Sequence, residues 1–489
     1  MNILFGNGPA NITDIAAIAR NDAFVEIASQ VYERLEKARA ILDRAAASGQ
    51  QIYGLNTGLG ANLKTPVSSD ITGFQQQLVR GRGMGTGTPL SRELTRAVMA
   101  TRLSMLAAGG SGISPAVFTD LLALLNKQVH PVMPSIGSIG AGDLVLLSAL
   151  AQGMIGEGHS EYQGQVCPSA SALELAGLLP SQLGPKDGLS LLNASAVSVG
   201  QGALVVFDAL ALFDFQRQAA ALSFEGLGGN PLILAPALQR ARAACGQIEE
   251  AEQLTALLDG SALHTTSPAI QDPLSLRCIP SIHGALSTAL EGAKRSVEIE
   301  LNAAADNPLV VIDEERVLST GNFHTPALAL AFETLGLAIA QVAAASAARF
   351  IQLTGSSRNG LPKYLSAVGG ASAGFVPLQK TVVALLAAIR HKANPVMLDF
   401  LPVSEGVEDH ATQSVLAVSK CADMIDLWRQ LVACELLAAA QAVDLKPEHS
   451  CGPAILQIHR FVRSSSARLV EDRALSDDLS QLVYSLSRG

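Results

Sequence analysis

Charged residues make up only 16% of this 489-residue chain and hydrophobic ones 48%, so the places where polar side chains gather are informative. They are Tyr53 with Asn56, Lys64, Arg80 with Arg82, Asn193, Gln271 to Arg277 (QDPLSLR), Asn302 to Asn307 (NAAADN), Asn322 to His324 (NFH), Lys380, and Glu408 to His410 (EDH). Each lies between apolar stretches, where burial without a partner is costly. Lys380 is the sharpest case. It sits in an otherwise apolar segment (GFVPLQKTVVALLAAI) with no acidic residue one turn away. On the surface it is a solvated lysine. Buried, it needs a partner or a shifted pKa, and a lysine so shifted can take or give a proton near neutral pH. Three glycine-rich segments interrupt the apolar pattern: YGLNTGLG from Tyr53, GRGMGTG from Gly81 and PSIGSIGAGD from Pro134. None follows a strand and opens a helix, so a phosphate-cradling or dinucleotide loop is excluded.

The elements that must position these groups are helical. Ala and Leu dominate, aromatics are 4%, and both dominant residues rank high in helix propensity. Apolar residues recur at helical spacing over 22–48, 91–109 and 115–128. Longer Ala-rich segments nearly free of Gly and Pro run over 284–303, 326–353, 373–391 and 409–445. Helices apolar around most of their circumference must be buried, by one another or by other subunits, so the expected fold is all-α, a bundle of long antiparallel helices. The expected organisation is a loop-and-helix region over 1–185, a long-helix bundle over 186–445 and a small C-terminal helical segment over 446–489. Lys plus Arg number 34 and Asp plus Glu 43, a net charge of −9; this balance gives no footprint for nucleic acid. The longest apolar stretch noted, Leu335 to Ala348, is broken by Gln341 and Ser346 and falls short of the ~20 residues that span a bilayer. Six scattered cysteines form no Cys-x-x-Cys pair and no zinc spacing, which suits reduced thiols in a cytoplasmic protein with no metal.

Taken in order, YGLNTGLG, PSIGSIGAGDL, GLSLLN at Gly188, QDPLSLRCIPSIHGA, DNPLV at Asp306, GNFH at Gly321 and EDH resemble the histidine/phenylalanine ammonia-lyase family over about residues 1–460. The resemblance implies long antiparallel helices, a homotetramer, and active sites assembled from several subunits. It also exposes three departures. Family members read G-S-V-G-A-S-G-D-L, and the Ala-Ser-Gly cyclises to methylidene-imidazolone, an electrophile that captures the substrate amine. Here the segment is Gly137-Ser138-Ile139-Gly140-Ala141-Gly142-Asp143-Leu144, one residue shorter and without that serine, so no such cofactor is expected. Leu274 stands where lyases carry a catalytic Tyr, and Arg82 where histidases carry a His.

Without the electrophile an amine is a poor leaving group. A trimethylammonium betaine is different: it has no N–H proton to lose and departs as neutral trimethylamine. The chain looks like the branch of the family that lacks the electrophile and eliminates trimethylamine from ergothioneine, the 2-thiohistidine betaine; another betaine such as hercynine, or an inactive homologue, are the alternatives. The resemblance then implies roles. Tyr53 matches the general base, which with a reference pKa of ~10 must act as phenolate, and Lys64 could supply positive charge nearby. Arg277 matches the arginine that pairs with the substrate carboxylate; Asn193 and Asn322 match hydrogen-bonding positions on the carboxylate and amine sides. Lys380 and Glu408 would face the thioimidazole, with the identity of the acid among Lys64, Lys380 and Glu408 left open. Leu274, Phe323 and Phe375 could wall the methylated cation, an aromatic face adding ~0.5–2 kcal/mol. Arg82 either reads the thione or bridges subunits. Asp306, Asn307 and His324 read as scaffold hydrogen-bonders.

Overall fold

The computed structural model describes residues 2–65, 67, 70–266, 270–355, 360–398, 400–446 and 450–488. The chain is mostly helical with a few short strands, as its composition requires. It forms two compact units that interleave along the sequence: Met1–Phe207, Ala293–Phe332 and Pro395–Ser419 make the first, and Asp208–Gly292, Glu333–Asn394 and Lys420–Gly489 the second. The chain changes unit inside the helices Ala196–Leu227, Ile279–Leu301, Pro326–Thr354 and Ser414–Asp444, and once more between Asn394 and Pro395. The C-terminal helices Pro453–Ser465 and Ser476–Leu486 form in the expected stretch, but they belong to the second unit. There the buried Gln441 amide bonds the backbone N–H and C=O of Leu469.

In the first unit, the helix Arg92–Ala107 is buried continuously from Thr95 onward, starting where Ser91 accepts the Leu94 N–H at 3.2 Å. Its two buried arginines are paired. Arg96 donates to Ile18 C=O and faces Asp22, and Arg102 meets Asp306 at 3.1 Å. Asp306 thus serves the scaffold, as expected. Residues 22–48 are not one helix. Phe24–Ile27 is a strand parallel to Asn2–Phe5, and the helix begins at Ser29. The alternation Phe-Val-Glu-Ile carries β-branched residues at period two, and Asn126 clamps both the N–H and C=O of Val25.

The second unit is built on the later parts of Ala196–Leu227 and Pro326–Thr354 and most of Ser414–Asp444. The stretches Asp187–Leu227 and Pro326–Thr354 are long and apolar enough to cross a bilayer by length and composition, which reading Leu335 to Ala348 alone did not reveal. In the fold 72% and 50% of their most apolar windows are buried.

Candidate active site

The glycine-rich loop after Gln50 is locked by its own polar groups. Asn56 Oδ1 accepts the Ile52 N–H at 2.7 Å while its amide donates to Gln50 C=O at 2.8 Å. Asn56 is thus the loop's staple. Gly54 has φ +69°, and a Cβ there would stand 2.4 Å from Leu189; only glycine allows this approach. So held, the loop presents a half-buried Tyr53, whose Oη accepts the Gly60 N–H at 3.0 Å.

Tyr53 lines a cavity of about 630 Å³ with Arg82, Ser138, Ala141, Gly142 and Glu408. Burial lowers the Arg82 pKa, and the neighbouring Tyr53 and Glu408 act against that shift. The three groups therefore share one electrostatic neighbourhood. Glu408 accepts the Ser404 O–H at 3.1 Å and lies in a segment closed by the Val403–Glu408 backbone pair.

The floor of the cavity is the segment 137–144. Gly140 has φ +79°, and a Cβ would meet Thr412 Oγ1 at 2.1 Å; Thr412 donates to Gly140 C=O at 2.8 Å. Ser138 Oγ accepts the Gly140 N–H at 3.0 Å and donates to Asp143 at 2.7 Å. The other Asp143 oxygen accepts the Val197 and Ser198 N–H groups at the start of Ala196–Leu227, where a negative charge suits the helix N-terminus. Asp143 is fully buried, and desolvation raises its pKa to about 6 against these hydrogen bonds. Asp143 and Ser138 are site residues that the motif alone does not single out; a carboxylate opening the apolar helix Leu144–Met154 is the signal the sequence carries.

The other expected residues are distributed as follows. Asn193 is buried and donates to Asn307 C=O at 2.7 Å. Asn322 is exposed and accepts from Thr320 at 2.8 Å. Phe323 is half-buried, its C=O accepting from Ser195 at 2.9 Å. Lys64 is exposed, outside the cavity lining. Leu274, Arg277, Phe375 and Lys380 belong to the second unit. There Leu274 is 61% exposed and Phe375 3% exposed, and Arg277 and Lys380 are exposed. Turned about its amide, Gln271 offers its oxygen to Arg277 Nη2 at 2.9 Å. Among the described residues no cluster of three or more His, Cys, Asp or Glu could hold a metal.

A helical fold carrying these motifs in this order is that of a carbon–nitrogen lyase, and residues 10–464 match the aromatic amino acid lyase family. The chain belongs to that family. It is 38% identical over 491 residues to a histidine ammonia-lyase of Myxococcus xanthus, covering 99% of this chain and 97% of that one, and 37% identical to a histidine ammonia-lyase of Stigmatella aurantiaca, covering 98% and 95%. Among solved structures it is similar to the ergothioneine-degrading ergothionase of Treponema denticola, with a TM-score of 0.94, 32% identity, and 99% and 98% of the two chains covered. Histidine ammonia-lyase of Trypanosoma cruzi matches with a TM-score of 0.92, 30% identity, and 99% and 93% covered.

Proposed function

We propose that this lyase eliminates trimethylamine from ergothioneine, giving thiourocanate, and does so without methylidene-imidazolone. The observation that carries the reading is the segment Gly140-Ala141-Gly142. The ring's exocyclic methylidene comes from dehydrating a β-hydroxyl between Ala and Gly, and no residue there has one. The only hydroxyl of 137–144, on Ser138, is engaged with Asp143 and the Gly140 N–H. These residues do not fit the group. The ergothionase of Treponema denticola, similar over nearly the whole chain, supports the same choice.

In the proposed step the Tyr53 oxygen takes the β-proton. The C–H electron pair forms the Cα–Cβ double bond, and the Cα–N bond breaks with its pair on nitrogen, which leaves as neutral trimethylamine. Arg277, supplied by another subunit, pairs with the substrate carboxylate. Glu408, with Lys380 of another subunit or with Lys64, polarises the thioimidazole so that charge developing on Cβ is drawn into the ring; an oriented group of this kind is worth ~10²–10³-fold in rate. Arg82 lines the same cavity as Tyr53 and Glu408. A homotetramer is part of this reading. Leu330, Leu337 and Ile351 are 54%, 50% and 37% exposed at spacings of seven and fourteen along one helix, an apolar line suited to a second copy.

The test is incubation of purified protein with ergothioneine, following thiourocanate absorbance and released trimethylamine. Both products in equal amounts are expected. No turnover at micromolar enzyme overturns the reading, and faster turnover of hercynine reassigns the substrate.

A further inference from the structure

The segment Gln271 to Arg277 has two faces. Asp272, Ser275 and Leu276 are buried, whereas Gln271, Leu274 and Arg277 are exposed. Its helix, Leu274–Arg277, has four residues, too few to hold itself. Something outside must fix it, and two buried anchors do. Asp272 accepts the Asn230 N–H at 2.7 Å, and the Ser275 carbonyl accepts from Arg349 Nη1 at 3.1 Å.

Arg349 is 0% exposed, as is its partner Glu435. The pair is bidentate, Nε to Oε1 at 2.6 Å and Nη2 to Oε2 at 3.0 Å. Glu435 also accepts from Gln216 at 3.2 Å, from Ser223 at 2.7 Å and from Ser346, so three long helices converge on one carboxylate. A buried ion pair is weak evidence for stability, because an apolar replacement is often as stable. What this pair adds is direction: with two nitrogens fixed by Glu435, the planar guanidinium can aim its third at one carbonyl only.

We infer that Arg349, clamped by Glu435, is a positioning residue that holds the Leu274–Arg277 turn and so sets where Arg277 meets the substrate carboxylate. The inference rests on the proposed role of Arg277, and the test separates the two. R349K keeps the charge and loses the fork. Steady-state kinetics with ergothioneine are compared with inhibition by thiourocanate, which carries the carboxylate, and by 2-mercaptoimidazole, which lacks it. The expected result is KM and the thiourocanate inhibition constant raised about tenfold or more, kcat changed far less, and 2-mercaptoimidazole inhibition unchanged. Hydrogen exchange should quicken in the peptide covering 271–278 by a similar factor. Equal weakening of both inhibitors, or wild-type exchange across 271–278, overturns the inference. A wild-type protein that leaves ergothioneine untouched sinks the functional reading instead, and the exchange result still decides whether Arg349 holds the turn. Should R349K not fold, E435Q loosens the same guanidinium and is read by the same measurements.

Discussion

His324 Nε2 and His410 Nδ1 lie 2.8 Å apart, tying the residue whose backbone pairs with Ala141 to the residue two beyond Glu408. Such a contact needs one N–H and one lone pair, so it cannot exist with both rings fully protonated. Burial chiefly, and then the neighbouring His410, hold the His324 pKa below 6.5, while a hydrogen bond to the Gly140 backbone opposes them. A histidine whose folded pKa is depressed contributes stability that is complete above 6.5 and is lost as the pH falls through the folded value. Melting temperatures of wild type and H324N across pH 5 to 8 should therefore differ most above 6.5 and converge below it. A constant difference would refute the link.

Asp143 makes the opposite prediction. Its folded pKa of about 6 lies above the ordinary 3.8, so the folded protein binds the proton more tightly. Its contribution to stability is full below about 4 and is lost as the pH rises through 6, on the order of 3 kcal/mol in all. In D143N the amide oxygen can still accept from Val197 and Ser198 while the NH₂ faces Ser138. Urea unfolding at pH 4 to 7 should show that component of the slope gone in D143N; an unchanged slope would mean the carboxylate is solvated.

Tyr53→Phe removes the proposed proton acceptor and the hydrogen bond that its hydroxyl accepts from the Gly60 N–H at 3.0 Å. Turnover of ergothioneine should fall at least ~10²-fold, with a stability cost of only about 1 kcal/mol. A variant with wild-type kcat would remove Tyr53 from the chemistry.

The proposed homotetramer, which the exposed apolar line on Pro326–Thr354 suits, is expected to appear by light scattering as four 50.7 kDa chains. L337E, placing a charge where Leu337 is 50% exposed, should shift the population toward smaller species. A monomeric wild type would contradict the expected assembly.

Most of the fold was legible because its signal is local. Segments with apolar residues at helical spacing became helices within a few residues of their expected ends, as at Arg92–Ala107 and Pro115–Asn126. The strand at Phe24–Ile27 was not legible, since its pairing with Asn2–Phe5 is a long-range event in a segment that also fits a helix. At the site, the order of motifs pointed to Tyr53, Arg82 and Glu408, which share one cavity. Lone charges in apolar helices were harder to interpret. Lys380 drew attention and is exposed, whereas Arg349 and Glu435 show the same sequence signal and form the buried pair. Periodicity does not reveal which face of a helix another helix covers.

The central claim is that the departing nitrogen arrives fully methylated, because no hydroxyl-bearing residue stands between Ala141 and Gly142 to make the electrophile. The most direct measurement gives purified protein equal concentrations of ergothioneine and histidine in one reaction and quantifies trimethylamine and ammonia together. Trimethylamine without ammonia is predicted. Ammonia released from histidine at a comparable rate would contradict the account.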